Sequence, residues 1–161
     1  MLYTFIAVLT FAMTFPAAAQ SRDQALIAAA AKGDLAGAER LIRAGASVAA
    51  RDVRGRTALL AATHGNHVAV ARALISACAD VNAKDNIEDS PFLYAGAEGR
   101  TEILKMTLAA GADLTSTNRY GGAALIPAAH HGHPEAVKIL LGTRSTRITS
   151  TSSAGPRRSK R

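Results

Sequence analysis

The sequence predicts an all-α fold, a solenoid of four stacked helix-turn-helix units with short finger loops between them. Three observations carry this. First, the chain repeats with a period of 33: Asp52, Asp85 and Asn118 keep that spacing, as do Leu59, Phe92 and Leu125. A fixed period of this size marks a stack in which each unit packs only on its neighbours. Second, 48% of the residues are apolar but only 4% aromatic, and alanines gather at 28–31, 61–62, 95 and 128–129. Small side chains let helices approach closely, whereas a β-sandwich would draw on Val, Ile, Tyr and Phe. Third, Leu41, Ile42, Leu74, Ile75, Leu108, Leu140 and Leu141 fall at helical spacing and give each second helix an apolar stripe.

Taken in chain order, residues 1–19 carry no charged side chain and end in Ala17-Ala18-Ala19 before Gln20. An apolar run closed by small residues is the pattern of a secretory signal cleaved after Ala19. Pro16 and the alanines leave the run short for a bilayer crossing, and the rival reading is a membrane anchor over residues 2–19. Residues 20–141 form the repeat domain, in units of about 20–52, 53–85, 86–118 and a truncated 119–141. Ser21 and Gln24 have the spacing of a capping box that opens the first helix. Pro91 follows Ser90 at a first helical position, where proline is favoured, and Pro127 lies within the first turn of its helix. Gly33, Asn66, Gly99 and Gly132 share one repeat position between paired helices, where the backbone must turn left-handed. Asn is the best substitute for glycine there, which makes Gly65 incidental.

These units resemble the ankyrin repeat, in its bacterial secreted form. The finger signature is complete at Asp52, Gly55 and Thr57, and Gly111-Ala112-Asp113 closes the third unit; the resemblance covers about residues 24–141. It implies helix pairs with hairpin-like fingers on one side, and a role in binding other proteins without catalysis. It also implies where a partner would lie: against the finger tips and the exposed side of the first helices. Those positions are Val53, Arg54, Arg56 and His64 in the second unit, and Asn86, Ile87, Asp89 and Glu98 in the third. In the fourth they are Arg119, Tyr120, Gly122, His130 and His131. Arg and Tyr are favoured interface anchors, although Val53 and Ile87 could instead pack on adjacent fingers. Three departures stand out: Cys78 replaces the glycine found at Gly45 and Gly111, Glu88 replaces the finger glycine, and Ala123 replaces the helix-starting threonine.

Charge and reactive residues narrow the function further. The net charge of +7 belongs to residues 142–161, which hold six of the 19 Lys and Arg and no acid. The remaining 13 basic residues face 12 acidic ones, so the body is near neutral and no nucleic-acid partner is expected. Cys78 is the single cysteine, which excludes an internal disulfide and a cysteine-based zinc site. All five histidines fall in two clusters, His64/His67 and His130/His131/His133, which their repeat positions set apart. Three or four ligands converging on one ion are not to be had there. No serine, cysteine or carboxylate stands in a catalytic arrangement, and the reading is a non-enzyme without cofactor or metal.

The repeat pattern stops after Leu141, and Gly142 to Arg161 is Ser, Thr and Arg with one sizeable apolar residue, Ile148. That composition predicts a disordered basic tail, and it leaves Val137, Leu140 and Leu141 without a capping unit. The open face offers a route to self-association. Two alternative roles follow from the same stretch: attachment to an anionic surface through the tail, or a truncated repeat protein with little activity of its own. After signal cleavage no stable membrane insertion is expected.

Overall fold

The computed structural model describes residues 17–152. Eight helices follow in pairs: α1 (Ala17–Lys32) with α2 (Leu35–Arg43), α3 (Ala58–His64) with α4 (Val68–Ser76), α5 (Pro91–Ala97) with α6 (Thr101–Ala109), and α7 (Leu125–His130) with α8 (Pro134–Ser152). The first helices stack as α1 on α3 on α5 on α7, and the second as α2 on α4 on α6 on α8. Among the described residues there is no strand; a lone antiparallel bridge joins Thr117 and Ala123. One continuous core runs along the stack. Its fully buried side chains include Leu26, Leu59, Leu74, Phe92, Ile103 and Leu104, with Ala30, Ala62, Ala95 and Ala128 between them. Alanine at these points keeps the helices close while removing little rotamer freedom.

Short helices need their ends satisfied, because a seven-residue helix leaves most of its amides without a partner inside it. Thr57 caps α3 by accepting from the Leu60 amide at 3.3 Å, Ser90 caps α5 through the Leu93 amide at 3.2 Å, and Asp34 caps α2 through the Gly37 amide at 2.8 Å. Proline at the first position of α5 loses no hydrogen bond. With Ala123 in place of the capping hydroxyl, α7 has no side-chain cap and begins only at Leu125.

The turns within the units follow the sequence reading. Gly33, Asn66, Gly99 and Gly132 all have positive φ, at +75°, +55°, +63° and +76°, while Gly65 does not. Cys78 and Glu88 are held at φ +63° in the register of glycines. Gly33 and Gly99 serve a second purpose. The ring of His67 lies over Gly33 and that of His133 over Gly99, so a Cβ would come within 2.5 and 2.6 Å of a ring nitrogen.

Two expectations are corrected. Ser21 and Gln24 do not open the first helix: α1 begins at Ala17, and the Gln24 side-chain amide donates to the Arg51 carbonyl at the far end of the same unit. Gln24 occupies the register of Thr57 and Ser90, but among the described residues it is preceded by helix and not by a finger, and the alanines upstream prolong that helix. Likewise the helix does not stop at Leu141. α8 continues through Gly142 to Ser152, since Gly, Ser and Thr each cost a formed helix about 1 kcal/mol or less and no proline intervenes before Pro156. Residues 153–161, with four of the six tail charges, lie outside the described residues, as does all of the N-terminal leader except Ala17–Ala19. At the uncapped end Leu140 is buried, beside Phe92 and Leu114 of the third unit, Val137 is half-buried, and of the three only Leu141, 51% exposed, faces out.

Candidate protein-binding face

Each finger is built around one side-chain oxygen. Asp52 Oδ1 accepts from the Arg54 and Arg56 amides at 2.8 and 2.9 Å. Asp85 Oδ1 accepts from Ile87 and Asp89, each at 3.0 Å, and Asn118 Oδ1 from Tyr120 and Gly122 at 3.0 and 3.1 Å. The residue that keeps the 33-residue period is therefore the acceptor that folds each loop. A backbone pair closes the base of each loop: Asp52 N–H to Arg56 O, Asp85 to Asp89, and Asn118 to Gly122, at 3.0, 2.9 and 3.0 Å.

The fingers are also joined to one another. The Asn86 amide donates to Arg54 O at 3.0 Å and its side chain to Val53 O at 3.3 Å. Arg51 reaches Lys84 O, and Lys84 Nζ reaches Thr117 O at 2.6 Å, so one repeat position hands a donor to the next finger twice in succession. This ladder has no spacing signature beyond the repeat itself, because a long side chain meeting a carbonyl can be Arg or Lys. A loop tied at both base and flank presents its tip with little left to order.

The tips carry Val53, Ile87 and Tyr120, exposed by 96%, 45% and 79%. Val53 does not pack on its neighbour. Arg54 and Asn86 are exposed beside these tips, and Arg119 lies over the Tyr120 ring with its guanidinium carbon 4.8 Å from the centroid. Arg56 differs from the rest. Its guanidinium donates to Asp52 Oδ2 at 2.9 and 2.7 Å, which turns it into its own finger. Burial alone would raise the Asp52 carboxyl, but these hydrogen bonds and the backbone amides outweigh it and hold the group below its ordinary value.

The side of the first helices next to the fingers brings together His64, Asp89, Glu98 and His131. His64 is half-buried and stacked on Tyr94 of the next unit, ring centroids 4.0 Å apart and 26° from parallel. Burial, then the nearby Arg56 charge, pushes its pKa down. Tyr94 rises through burial and the neighbouring Glu98. Asp89 is raised by burial and by Asp85. His131 Nδ1 donates to Ala97 O at 2.9 Å and lies 3.6 Å from a Glu98 oxygen. His130 is exposed, edge-on to His131 at 5.6 Å, and His131 and His133 are nearly perpendicular at 6.3 Å. His67 Nε2 pairs with Ala31 O at 3.1 Å. Among the described residues no three His, Cys, Asp or Glu side chains converge as a metal site.

One contributor escapes the sequence reading. A groove of about 490 Å3 beside the last finger is lined by Tyr120, Gly122, Ile126, Pro127, His130 and His131. Ile126, 64% exposed, is its apolar floor. The signal was available: Ile126 stands 33 residues after Leu93, in a unit that no further repeat follows.

Stacked helix pairs with a row of tied loop tips along one side define a class before they define a member: a repeat solenoid. The chain belongs to the ankyrin-repeat family, for residues 10–85 and 26–118 match the family described as ankyrin repeats (3 copies). It is similar in structure to an ankyrin repeat domain from Acinetobacter baumannii AYE, with 54% identity and a TM-score of 0.71 over 73% of this chain. It is similar also to EF0377, an ankyrin repeat protein, with 45% identity and a TM-score of 0.71 over 75% of this chain. The chain spans less than two thirds of either one, 60% and 62% of their lengths. No curated protein matches it. Ankyrin repeats are generally modules of protein–protein interaction.

Proposed function

We propose that this protein is a non-catalytic binding module that engages another protein through Val53, Arg54, Asn86, Ile87, Arg119 and Tyr120, with His64, Asp89, Glu98, His130 and His131 along its flank. The observation that carries the reading is the row of exposed apolar tips held by finger-to-finger hydrogen bonds. Exposed apolar side chains on rigid loops, with arginines beside them, supply the anchor and the polar rim of an interface. Arg56 contributes by shaping its loop rather than by contact. The proposed setting is the periplasm or the cell exterior, with the leader cleaved after Ala19; that cut falls three residues inside α1.

The test is affinity capture with the chain as bait, washed at low and at about 0.5 M salt, where exposed charge contacts are screened and a packed interface survives. One stoichiometric partner should persist through the wash and be lost from a Val53→Ser, Tyr120→Ala double variant of unchanged melting temperature. A partner retained by that variant would move the interface elsewhere. Acidic species that leave in the high-salt wash would instead favour attachment through the basic residues after Leu141.

A further inference from the structure

The two ends of the stack leave open the same positions that every internal junction buries. At a junction, the trailing side of one first helix meets the leading side of the next. Ala124 of the fourth unit, for example, sits so close to Gly96 of the third that a Cβ there would lie 2.9 Å from the Ala124 methyl. His64 stacks on Tyr94 one unit on, fixing a second pair of positions. Along the trailing side, Leu60 and Leu93 are 0% and 2% exposed, and Ile126 in the same register is 64% exposed. One turn on, Ala30 and Thr63 are fully buried, whereas Ala129 is exposed. Leu141 is 51% exposed in the register of Ile42, Ile75 and Leu108, which are half-buried.

The leading side of α1 is the counterpart. Ala25 and Ala28 are exposed, yet Ala58 and Ala61 in the same register of α3 are 1% and 2% exposed. At these two positions α1 leaves open the same methyl groups that α3 presents to α1. Placed end on, Ala129 of one copy would meet Ala25 of another in the register in which Ala30 meets Ala58, an alanine pair in both cases. Ile126 would be covered as Leu60 and Leu93 are.

We propose that a second copy of this chain docks on the fourth unit, head to tail, its α1 continuing the layer of first helices. The contact is heterologous: the trailing face of one copy takes the leading face of the next. Such contacts do not close on themselves and produce open chains of copies. Because the stack is continued, each added copy brings three more fingers on the same side, after a gap of one finger at the junction, and the surface for a partner becomes multivalent. The proposal rests on exposed helix faces and not on the finger reading, and Ile126 is the one residue the two share, since it also lines the groove beside Tyr120.

Sedimentation velocity on the full chain tests it, with Ile126→Glu and Ala28→Glu, both at exposed helical positions that leave the fold intact. The average mass should climb past that of a dimer as concentration rises over about a hundredfold range. Either substitution should weaken association by about tenfold or more, since each sets a carboxylate against an apolar face. Mixed together, the two variants should form a pair and grow no further, each retaining one intact face. The proposal is overturned if the native chain stays monomeric throughout. It is overturned equally if Ala28→Glu alone still dimerises like the native chain, which is the mark of a symmetric tail-to-tail contact. Association that survives both substitutions would lie at another surface, and the end-on contact would be wrong.

Discussion

At Cys78 the backbone is left-handed, φ +63°, where Gly45 and Gly111 stand in the neighbouring units at +81° and +90°. A side chain with a Cβ costs about 1 kcal/mol there, and Cys78→Gly should raise the thermal midpoint by a few degrees, read by circular dichroism. A lower midpoint would mean that the thiol makes a compensating contact. The histidine stacked on Tyr94 has a different sensitivity. Its folded pKa lies below the ordinary 6.5, first through burial and then through Arg56. The fold therefore binds the proton less well than the unfolded chain does. The stability due to neutral His64 is complete above that ordinary value and is lost as the pH falls through the folded value. The melting temperature should drop between about pH 7.5 and about pH 5.5, and drop less in His64→Phe, which keeps the stack without the proton site. An equal drop in both chains would place the titrating group elsewhere. The left-handed residues were legible in sequence because repeats supply their own comparison. The His64–Tyr94 stack was not, since it joins residues 30 apart, off the period.

Among the elements, the first helices of the middle units have a capping hydroxyl that α7 lacks. Thr57 and Ser90 cap α3 and α5, and Ala123 leaves α7 without a side-chain cap. Thr57→Ala should cost about 1 kcal/mol, and Ala123→Thr should return about half as much or more. Chemical denaturation midpoints at constant slope check both. No change in the second would show that the Thr117–Ala123 bridge holds position 123 away from a capping geometry. Element boundaries inside the stack were readable because finger and glycine recur at fixed offsets. The two outer boundaries were not. A capping box at Ser21 is a local pattern, and the alanines before it extend the helix regardless. After Leu141 the composition changes abruptly, but Ser, Thr and a glycine are weak breakers of a helix already begun, and α8 runs on to Ser152.

Over the whole molecule, stability and recognition draw on the same repetition. Each unit buries its apolar faces only against its neighbours, so the core is a line of equivalent junctions, and the fingers lie in a row because the junctions do. The period announced this architecture without its fastening. Asp52, Asp85 and Asn118 were visible as a spacing, but their task of holding two amides each is done with backbone partners that sequence does not mark. The finger tips were nameable for the same reason as the core, by register. Which of them are free was a matter of geometry: Val53 is open and Arg56 is tied to Asp52. The measurement that bears most directly on the central claim is hydrogen–deuterium exchange of the chain with its captured partner bound. Protection is predicted in peptides spanning Val53–Arg54, Asn86–Ile87 and Arg119–Tyr120, with the buried second helices unchanged. Protection confined to the region after Leu141, with exchange at all three fingers untouched, would contradict it.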